Sequence, residues 1–361
     1  MSVTLSLIAA ALCVATLLPW LPAAHWSVRG PEFPRLQIAL LAAVCCALAA
    51  LSLDLSSRTN QLVLAALLTT LAVQLAYLLP YSPLWPRQVP DADPVGDGHR
   101  LRLLVSNVLT SNRNAEALIA AVRRERPDLL IALETDDWWE AQLDQLGELL
   151  PHALRCPQDN LYGMHVFSRQ PIEDGSVRFL VEADVPSMHL SVHIEDERAV
   201  RMHVLHPAPP SPTENEESAP RDAELLAVGR SLEDDTGPVI VVGDLNATPW
   251  SRATRLFLRS SGLRDPRIGR AVLSTFDANR WWMRWPLDHV FCSTHFGLVG
   301  LRRLENVGSD HFPLLVELAL PGKETGASEP VDAADRASID ALLREQNAHA
   351  GGVPAPGRDG H

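Results

Sequence analysis

A chain of 361 residues is long enough for about two domains, and its 47% hydrophobic content is enough to give each a core. The net charge of -13, with Lys323 as the single lysine, argues against a broad basic surface of the kind that holds a nucleic acid. Cys13, Cys45 and Cys46 lie in apolar segments and only Cys156 and Cys292 in the polar part, which is neither a disulfide framework nor a CxxC metal spacing.

Three uncharged apolar stretches open the chain: Val3–Leu21, Leu36–Leu53 and Leu62–Leu79. Each has about the 17–25 residues that a helix needs to cross a hydrocarbon core. Trp20, Trp26, Tyr77, Tyr81 and Trp85 stand near their ends, where interfacial aromatics belong. Buried helices of a soluble protein would keep a polar stripe, and a cleaved signal peptide would carry a positive n-region; the stretches have neither. Residues 1–80 therefore read as a membrane anchor. Arg29 and Arg35 in the first loop, against Arg58 in the second, lean by the positive-inside rule to a cytoplasmic C-terminal part.

Residues 81–99 are rich in Pro, Gly and Asp and read as a linker. From residue 100 strand-like and helix-like runs alternate. RLRLLVSNV (100–108) is a strand, Asn114–Arg126 a helix, DLLIALE (128–134) a strand and Asp136–Leu150 a helix. YGMHVFSR (162–169), MHLSVHIED (188–196) and AVRMHVLH (199–206) are β-rich. A short helix around Asp222–Leu232 leads into PVIVVGDLNATPW (238–250). Its aliphatic run Val239–Val242 marks a strand buried on both faces. FPLLVELAL (312–320) is the last strand. This pattern predicts an α/β fold with two layered sheets over residues 100–320. Residues 321–361 read as a disordered tail, apart from one short helix at Asp332–Glu345.

Polar residues recur where apolar strands end. Asn107, Glu134, His206, Asp244 and Asn246 each follow such a run, Asp288 stands in LDHVF, and Asp310 and His311 precede the last strand. Strand ends are where sites are built, but also where polar residues keep a protein soluble. Together they would gather carboxylates and imidazoles on one sheet rim. The bland readings are a turn cap for Asn107, a helix N-terminal charge for Glu134, and packed histidines for His203 and His289. Trp281, Trp282 and Trp285 are either core or the rim of a site.

The motifs SNV (106–108), LE (133–134), YGMHVFSRQPI (162–172), LHPAP (205–209), GDLNATP (243–249), LDHVF (287–291) and GSDHFPLLVEL (308–318) run in order along this region. They resemble the endonuclease/exonuclease/phosphatase superfamily of Mg²⁺-dependent phosphoesterases, which includes DNase I-like nucleases, inositol polyphosphate phosphatases and sphingomyelinases. GDLNATP and SDHFP are the specific ones. The resemblance implies a two-layered β-sandwich flanked by helices (DNase I-like, four-layered α/β/β/α), here preceded by three transmembrane helices. It implies that Asp244 orients or deprotonates the attacking water, that Asn246 donates to a phosphoryl oxygen, and that His206 binds the phosphate. Asp288 would orient His311, which would stabilise the transition state. Glu134, assisted by Asn107, would hold Mg²⁺ (Mn²⁺ being an acceptable substitute), with Asp310 a second metal-side carboxylate or a hydrogen-bond partner. Two residues apart on an extended segment, Asp244 and Asn246 would point the same way.

The acidic stretch PAPPSPTENEESAPRD after His206 sets negative charge near this site and disfavours a polyanionic duplex. The expected function is a membrane-anchored phosphoesterase acting on a phosphorylated lipid or small phosphoester. A nuclease and a non-catalytic membrane-anchored binding module are the alternatives. An envelope-lipid substrate would place the catalytic part of this inner-membrane protein outside the cytoplasm, against the arginine count, and that side is preferred.

Overall fold

The structure, a computed structural model, describes residues 2–93, 99–194, 198–320 and 331–357. Its first part is a bundle of α1 (Ser2–Leu17), α3 (Arg35–Ser52) and α4 (Arg58–Leu78), with the short α2 (Trp26–Arg29) between α1 and α3. All three long helices are long and apolar enough to cross a membrane. Small and branched residues such as Ala9, Ala42, Ala49 and Leu67 pack between them. Leu7, Leu40, Leu51 and Leu62 point outward, each more than half exposed (61–87%), which is costly in water and favourable in lipid. One buried polar chain ties the bundle: Arg35 Nη1 donates to Gln74 Oε1 (3.1 Å) and Gln74 Nε2 to Thr16 Oγ1 (2.8 Å). Such bonds between apolar helices fix their register.

The second part is built from two sheets. The first follows β1 (His99–Asn107) with α5 (Ala115–Glu125), β2 (Leu129–Leu133), α6 (Asp137–Leu143), β3 (His152–Cys156) and β4 (Met164–Ser168). The chain then crosses to β5 (Ile172–Arg178), β6 (Ser187–Ile194), β7 (Arg198–Leu205), α7 (Ala219–Ser231), β8 (Val239–Asp244), α8 (Arg252–Ser261) and β9 (Asp288–Cys292). It returns through β10 (Gly297–Arg303) and β11 (Leu314–Leu320), and ends with α9 (Ala333–Glu345). The strand orders are β10-β11-β1-β2-β4-β3 and β5-β6-β7-β8-β9, parallel only at β1–β2 and β7–β8.

Strand alternation explains the layers. In β8, Ile240 and Val242 face the inter-sheet core, while Val239 and Val241 face the helix layer of α7, α8 and α9. In β1, Leu103 and Val105 face the same inter-sheet core and Leu104 packs under α5 and α6. A strand covered on both sides needs no polar alternation, which is why VIVV reads as one apolar run. The expected four-layered α/β/β/α architecture, DNase I-like, is therefore what the chain adopts, with the three apolar helices in front of it.

Several expectations need correction. The segment read as a linker is not a tether as far as residue 93. Val89 is fully buried in the inter-sheet core, Ala92 N donates to Leu298 O (2.8 Å), and Tyr81 stacks edge-on against Trp250. Residues 94–98 lie outside the described ones. The tail is likewise ordered over 331–357: α9 is capped by Asp332 and buries Ile339 and Leu343 against α7 and α8. Those two apolar side chains, four residues apart, form the stripe that docks the helix. Residues 321–330 and 358–361 of that tail, and Glu195 and Asp196 of MHLSVHIED, lie outside the described residues. The helix expected over Asp136–Leu150 ends at Leu143 and continues only as a turn, Asp144–Leu146. Strands β3, β5 and β10 and helix α8 were not read from the sequence, because their outer faces are polar and their apolar runs short.

On β6 and β7, His189 and His203 stand directly opposite, buried, with their Nδ1 atoms 2.7 Å apart. Burial holds both imidazoles far below their ordinary value, at about 2 and about 3, and each is pushed further down by a cationic or imidazole neighbour. Both are neutral when folded and take up protons when unfolded. The unfolded chain thus binds more protons below pH 6.5, so stability must fall as the pH drops from there toward 3. Urea unfolding at pH 7, 6, 5 and 4 should show up to about 1.4 kcal/mol lost per unit for each histidine. The double variant His189→Leu, His203→Leu should flatten this limb; an unchanged slope would clear the pair of responsibility.

Candidate active site

The rims of the two sheets meet at one end of the sandwich, and the polar strand ends converge there. Asn107 closes β1, Glu134 follows β2, His206 follows β7, Asp244 closes β8 and Asp288 opens β9. All but Asp288 and Asn107 line one pocket of about 450 Å³, together with Asn246, Asp310 and His311. Gly243 makes the approach of β8 to β7 possible. Its φ is +144°, and a Cβ there would lie 1.9 Å from the Leu205 carbonyl oxygen. The close approach sets Asp244 beside His206, with His206 Nε2 3.9 Å from Asp244 Oδ2.

Asp244 is the hub. Its Oδ1 accepts from Asn246 N (3.0 Å), and its Oδ2 faces Asn107 Nδ2 (3.1 Å) and His311 Nε2 (3.4 Å). The first of these bonds closes an Asx turn, and Asn246 adopts a left-handed φ of 48°. This corrects the extended-strand expectation: Asp244 and Asn246 share the pocket because the chain turns between them. Asn246 Nδ2 donates one proton to Pro207 O (3.0 Å), which leaves its second amide proton for a ligand. Arg221 Nη1, buried, fastens the turn by donating to Asn246 O (2.6 Å), a support that the sequence did not disclose.

Asp288 Oδ2 accepts from His311 Nδ1 (2.8 Å), and all of Asp244, Asp288 and His311 are buried within 4.8 Å of one another by their nearest polar atoms. Burial alone lowers the His311 imidazole, but the carboxylates of Asp288, Asp244 and Asp310 outweigh it and raise the group to about 10. Both ring nitrogens are directed at carboxylates, a setting that favours the protonated ring. The geometry of this trio suits a group that holds a proton between two carboxylates. Burial lowers His206 against the pull of Asp244, and its ring rests 5.5 Å from that of Tyr162.

Glu134 is the carboxylate on this rim that could hold a cation. Its φ is +61°, so the carboxylate turns back over the pocket instead of serving the helix at Asp137, whose cap is Asp136. Oε1 accepts from Asn107 Nδ2 (2.7 Å), while Oε2 is buried with no hydrogen-bond partner. Burial pushes this carboxyl up to about 7, opposed by the Asn107 donor and His311 and aided by Asp310 and Asp244. An orphaned, buried carboxylate oxygen with a second carboxylate, Asp310, on the same pocket wall suits a hard divalent cation. Asn107 presents its NH₂ to the two carboxylates and its oxygen to Leu109 N (3.1 Å), so it orients Glu134 and leaves direct ligation to the carboxylates. Burial also raises Asp310.

The model of the endonuclease/exonuclease/phosphatase family matches residues 104–311, which spans every one of these positions. The chain belongs to the endonuclease/exonuclease/phosphatase family. Members of this family are generally metal-dependent phosphoester hydrolases. Among solved structures, the human Nocturnin catalytic domain with bound sulfate anion is 16% identical, with a TM-score of 0.50 over 65% of this chain and 97% of that one. A Beutenbergia cavernae endonuclease/exonuclease/phosphatase is 18% identical, with a TM-score of 0.48 over 62% and 72%. A Klebsiella pneumoniae UPF0294 protein is 39% identical over 107 residues, 28% of this chain and 36% of that one. The chain thus spans about a third of the length of this curated relative.

Other wall residues were not foreseen. Phe276 packs on His311 (ring centroids 4.9 Å apart), and Tyr162 donates to Glu214 Oε2 (2.5 Å) across the pocket mouth. Trp26, Gly30 and Phe33, from the loop joining α1 to α3, complete the wall. Phe33 meets Trp285 edge-on at 5.3 Å, and Trp26 N donates to Glu216 O (2.8 Å). Of the tryptophans weighed above, Trp285 is wall, while Trp281 and Trp282 are 82% and 57% exposed beside it. His203 and His289 are core: His289 is buried between Arg267 (2.6 Å) and Ala247 O (2.8 Å). A larger groove, about 1030 Å³, opens at the opposite end of the sheets, where Arg102 pairs with Glu317 and Arg169 with Asp128.

Proposed function

We propose that this chain is a membrane-anchored, Mg²⁺-dependent phosphoesterase that hydrolyses a phosphorylated lipid, or a small phosphoester, at the bilayer surface. The observation that carries this reading is the shared wall: Trp26, Gly30 and Phe33 of the anchor line the same pocket as Glu134, Asp244 and His311. With three crossings, the α1–α3 loop and everything after α4 lie on one side of the membrane, so this wall is compatible with the span reading. The pocket then opens at headgroup depth. Gln37 Nε2 at the start of α3 donates to Trp282 O (3.1 Å), which sets the exposed Trp281 and Trp282 where interfacial aromatics are favoured. No arginine or lysine lines the pocket among the described residues, and Glu214 does, which supports a small substrate over a nucleic acid backbone.

In this reading Asp244 takes the proton of the attacking water as its oxygen bonds to phosphorus. Asn246 and His206 hold the phosphoryl oxygens, and the His311 imidazolium, fixed by Asp288, stabilises the charge that builds as the ester P–O bond breaks. The leaving oxygen departs with the bond electrons and takes a proton from solvent, and Asp244 returns the proton of the attacking water to solvent. Glu134 and Asp310 would hold the cation, which supplies charge neutralisation at the phosphate. The protein would sit in the inner membrane with the catalytic domain outside the cytoplasm.

Full-length protein in detergent, with Mg²⁺ or with EDTA, tests this against an isoprenoid pyrophosphate, phospholipids, plasmid DNA and single-stranded DNA. Lipid hydrolysis that is lost in EDTA and in His311→Ala is the expected result. DNA nicking alone would make the chain an anchored nuclease; no hydrolysis by a well-folded sample would make it a binding module. Trp281→Ser with Trp282→Ser should slow hydrolysis of bilayer-presented substrate about tenfold and leave a soluble aryl phosphodiester unaffected.

A further inference from the structure

A second cavity, about 370 Å³, lies between the anchor and α8, away from the catalytic groups. Arg29, Arg35, Arg252 and Arg255 line it, with Glu32 as the one carboxylate. Glu32 is committed to Arg29, at 3.6 Å. Arg35 is 2% exposed; its hydrogen bond goes to the neutral Gln74, and its Nε has no partner. Arg29, 8% exposed, also has a buried Nε without a partner. Buried charged donors left unmatched are expensive, so a site that holds two of them is built for something that accepts.

The exposed members strengthen the case. Arg252 and Arg255 occupy the first turn of α8, which has no acidic residue. That is the end of a helix where positive charge is disfavoured by the macrodipole. Arg35 and Arg255 both lie over the Tyr77 ring, 3.7 and 5.0 Å from its centroid, so two guanidinium groups crowd one side chain. Repulsion of this kind is relieved by an anion. Guanidinium forks match phosphate oxygens bidentately.

The depth of the cavity suggests the source of that anion. Pro19 and Trp20 follow α1, Arg35 begins α3 and Tyr77 is near the end of α4, so the cavity sits where all three helices reach one level. If the helices cross a membrane, that level is the headgroup layer on the side of the catalytic domain.

We propose that this arginine cavity binds a phosphate-bearing anion, in the membrane the headgroup of an anionic lipid, at a site separate from the catalytic pocket. The bound headgroup would join Arg35 of the anchor to Arg252 and Arg255 of the catalytic domain, bridging the two parts.

The test measures binding and is independent of any hydrolysis. Full-length protein is placed in nanodiscs of phosphatidylcholine with or without phosphatidylglycerol, and retained lipid is counted by native mass spectrometry. Arg252→Gln with Arg255→Gln is the variant, since both side chains are exposed and the Arg35–Gln74 packing is left intact. Wild type should retain phosphatidylglycerol and the variant about tenfold less. A second arm adds inorganic phosphate to phosphatidylcholine discs and follows melting. Stabilisation there of wild type but not of the variant, without lipid retention, supports the site with free phosphate as its ligand. Equal retention and equal melting in wild type and variant would overturn the proposal.

Discussion

Replacing Asp244 by asparagine should lower kcat for a phosphodiester roughly 10³-fold, within the range of about 10²–10⁴ for loss of a positioned proton acceptor. The substitution keeps the shape of the side chain but removes the charge that faces His311 and Asn107. An asparagine there has one acceptor oxygen for three donors, Asn246 N, Asn107 Nδ2 and His311 Nε2, so about 1–3 kcal/mol of stability goes with it. Melting must therefore be measured beside the kinetics, and KM should move little. His311→Ala should fall in a similar range, and the double variant well short of the product of the two, because the two groups act as one unit. An Asp244→Asn enzyme within tenfold of wild type would remove Asp244 from the proton transfer.

Glu134→Gln should split the response to metal from the response to its absence. In EDTA the wild-type protein carries a buried carboxylate oxygen without a partner, and a neutral amide relieves it. The variant should melt no lower than wild type there. With Mg²⁺ present the order should reverse. Wild type gains RT ln(1 + [L]/Kd), about 2.7 kcal/mol at a hundredfold excess over Kd, and the variant gains almost none. Calorimetric titration should show Mg²⁺ affinity weakened at least about 10–100-fold, the range known for lesser disturbances around a metal. Equal Mg²⁺ affinity in the two proteins would move the cation away from Glu134.

Much of the polar rim is legible in the sequence alone, and the reason is local. GDLN and SDHF interrupt apolar strands with groups that a core cannot hold for nothing, and the sandwich then gathers every such interruption at one end. What escaped notice was the pocket wall. Trp26 looks like an interfacial aromatic and Tyr162 like one more strand residue, because what they touch lies far along the chain: Glu214 is 52 residues from Tyr162, and Trp26 meets Glu216. Residues 81–93 misled for a related cause. Proline and aspartate mark extended chain, and extended chain can be a tether or a strap packed on a surface; Val89 decides for the strap only once its pocket between the sheets is known. The tail showed the reverse error. Its composition is that of a disordered segment, yet two apolar residues one turn apart, Ile339 and Leu343, suffice to seat α9.

The seam between anchor and catalytic domain also fixes an order of assembly. His25 pairs with Glu217, Ser218 N donates to Ala24 O and Trp250 Nε1 to Glu32 O, so the loop after α1 finds its partners only when chain some 190 residues or more downstream has been made. Contacts of such long sequence separation form late, after the entropy of closing the intervening loop has been met. Under the proposed function, the first helices would enter the membrane carrying one wall of the pocket, and the site would be complete only when the last strands of the sandwich close the other wall.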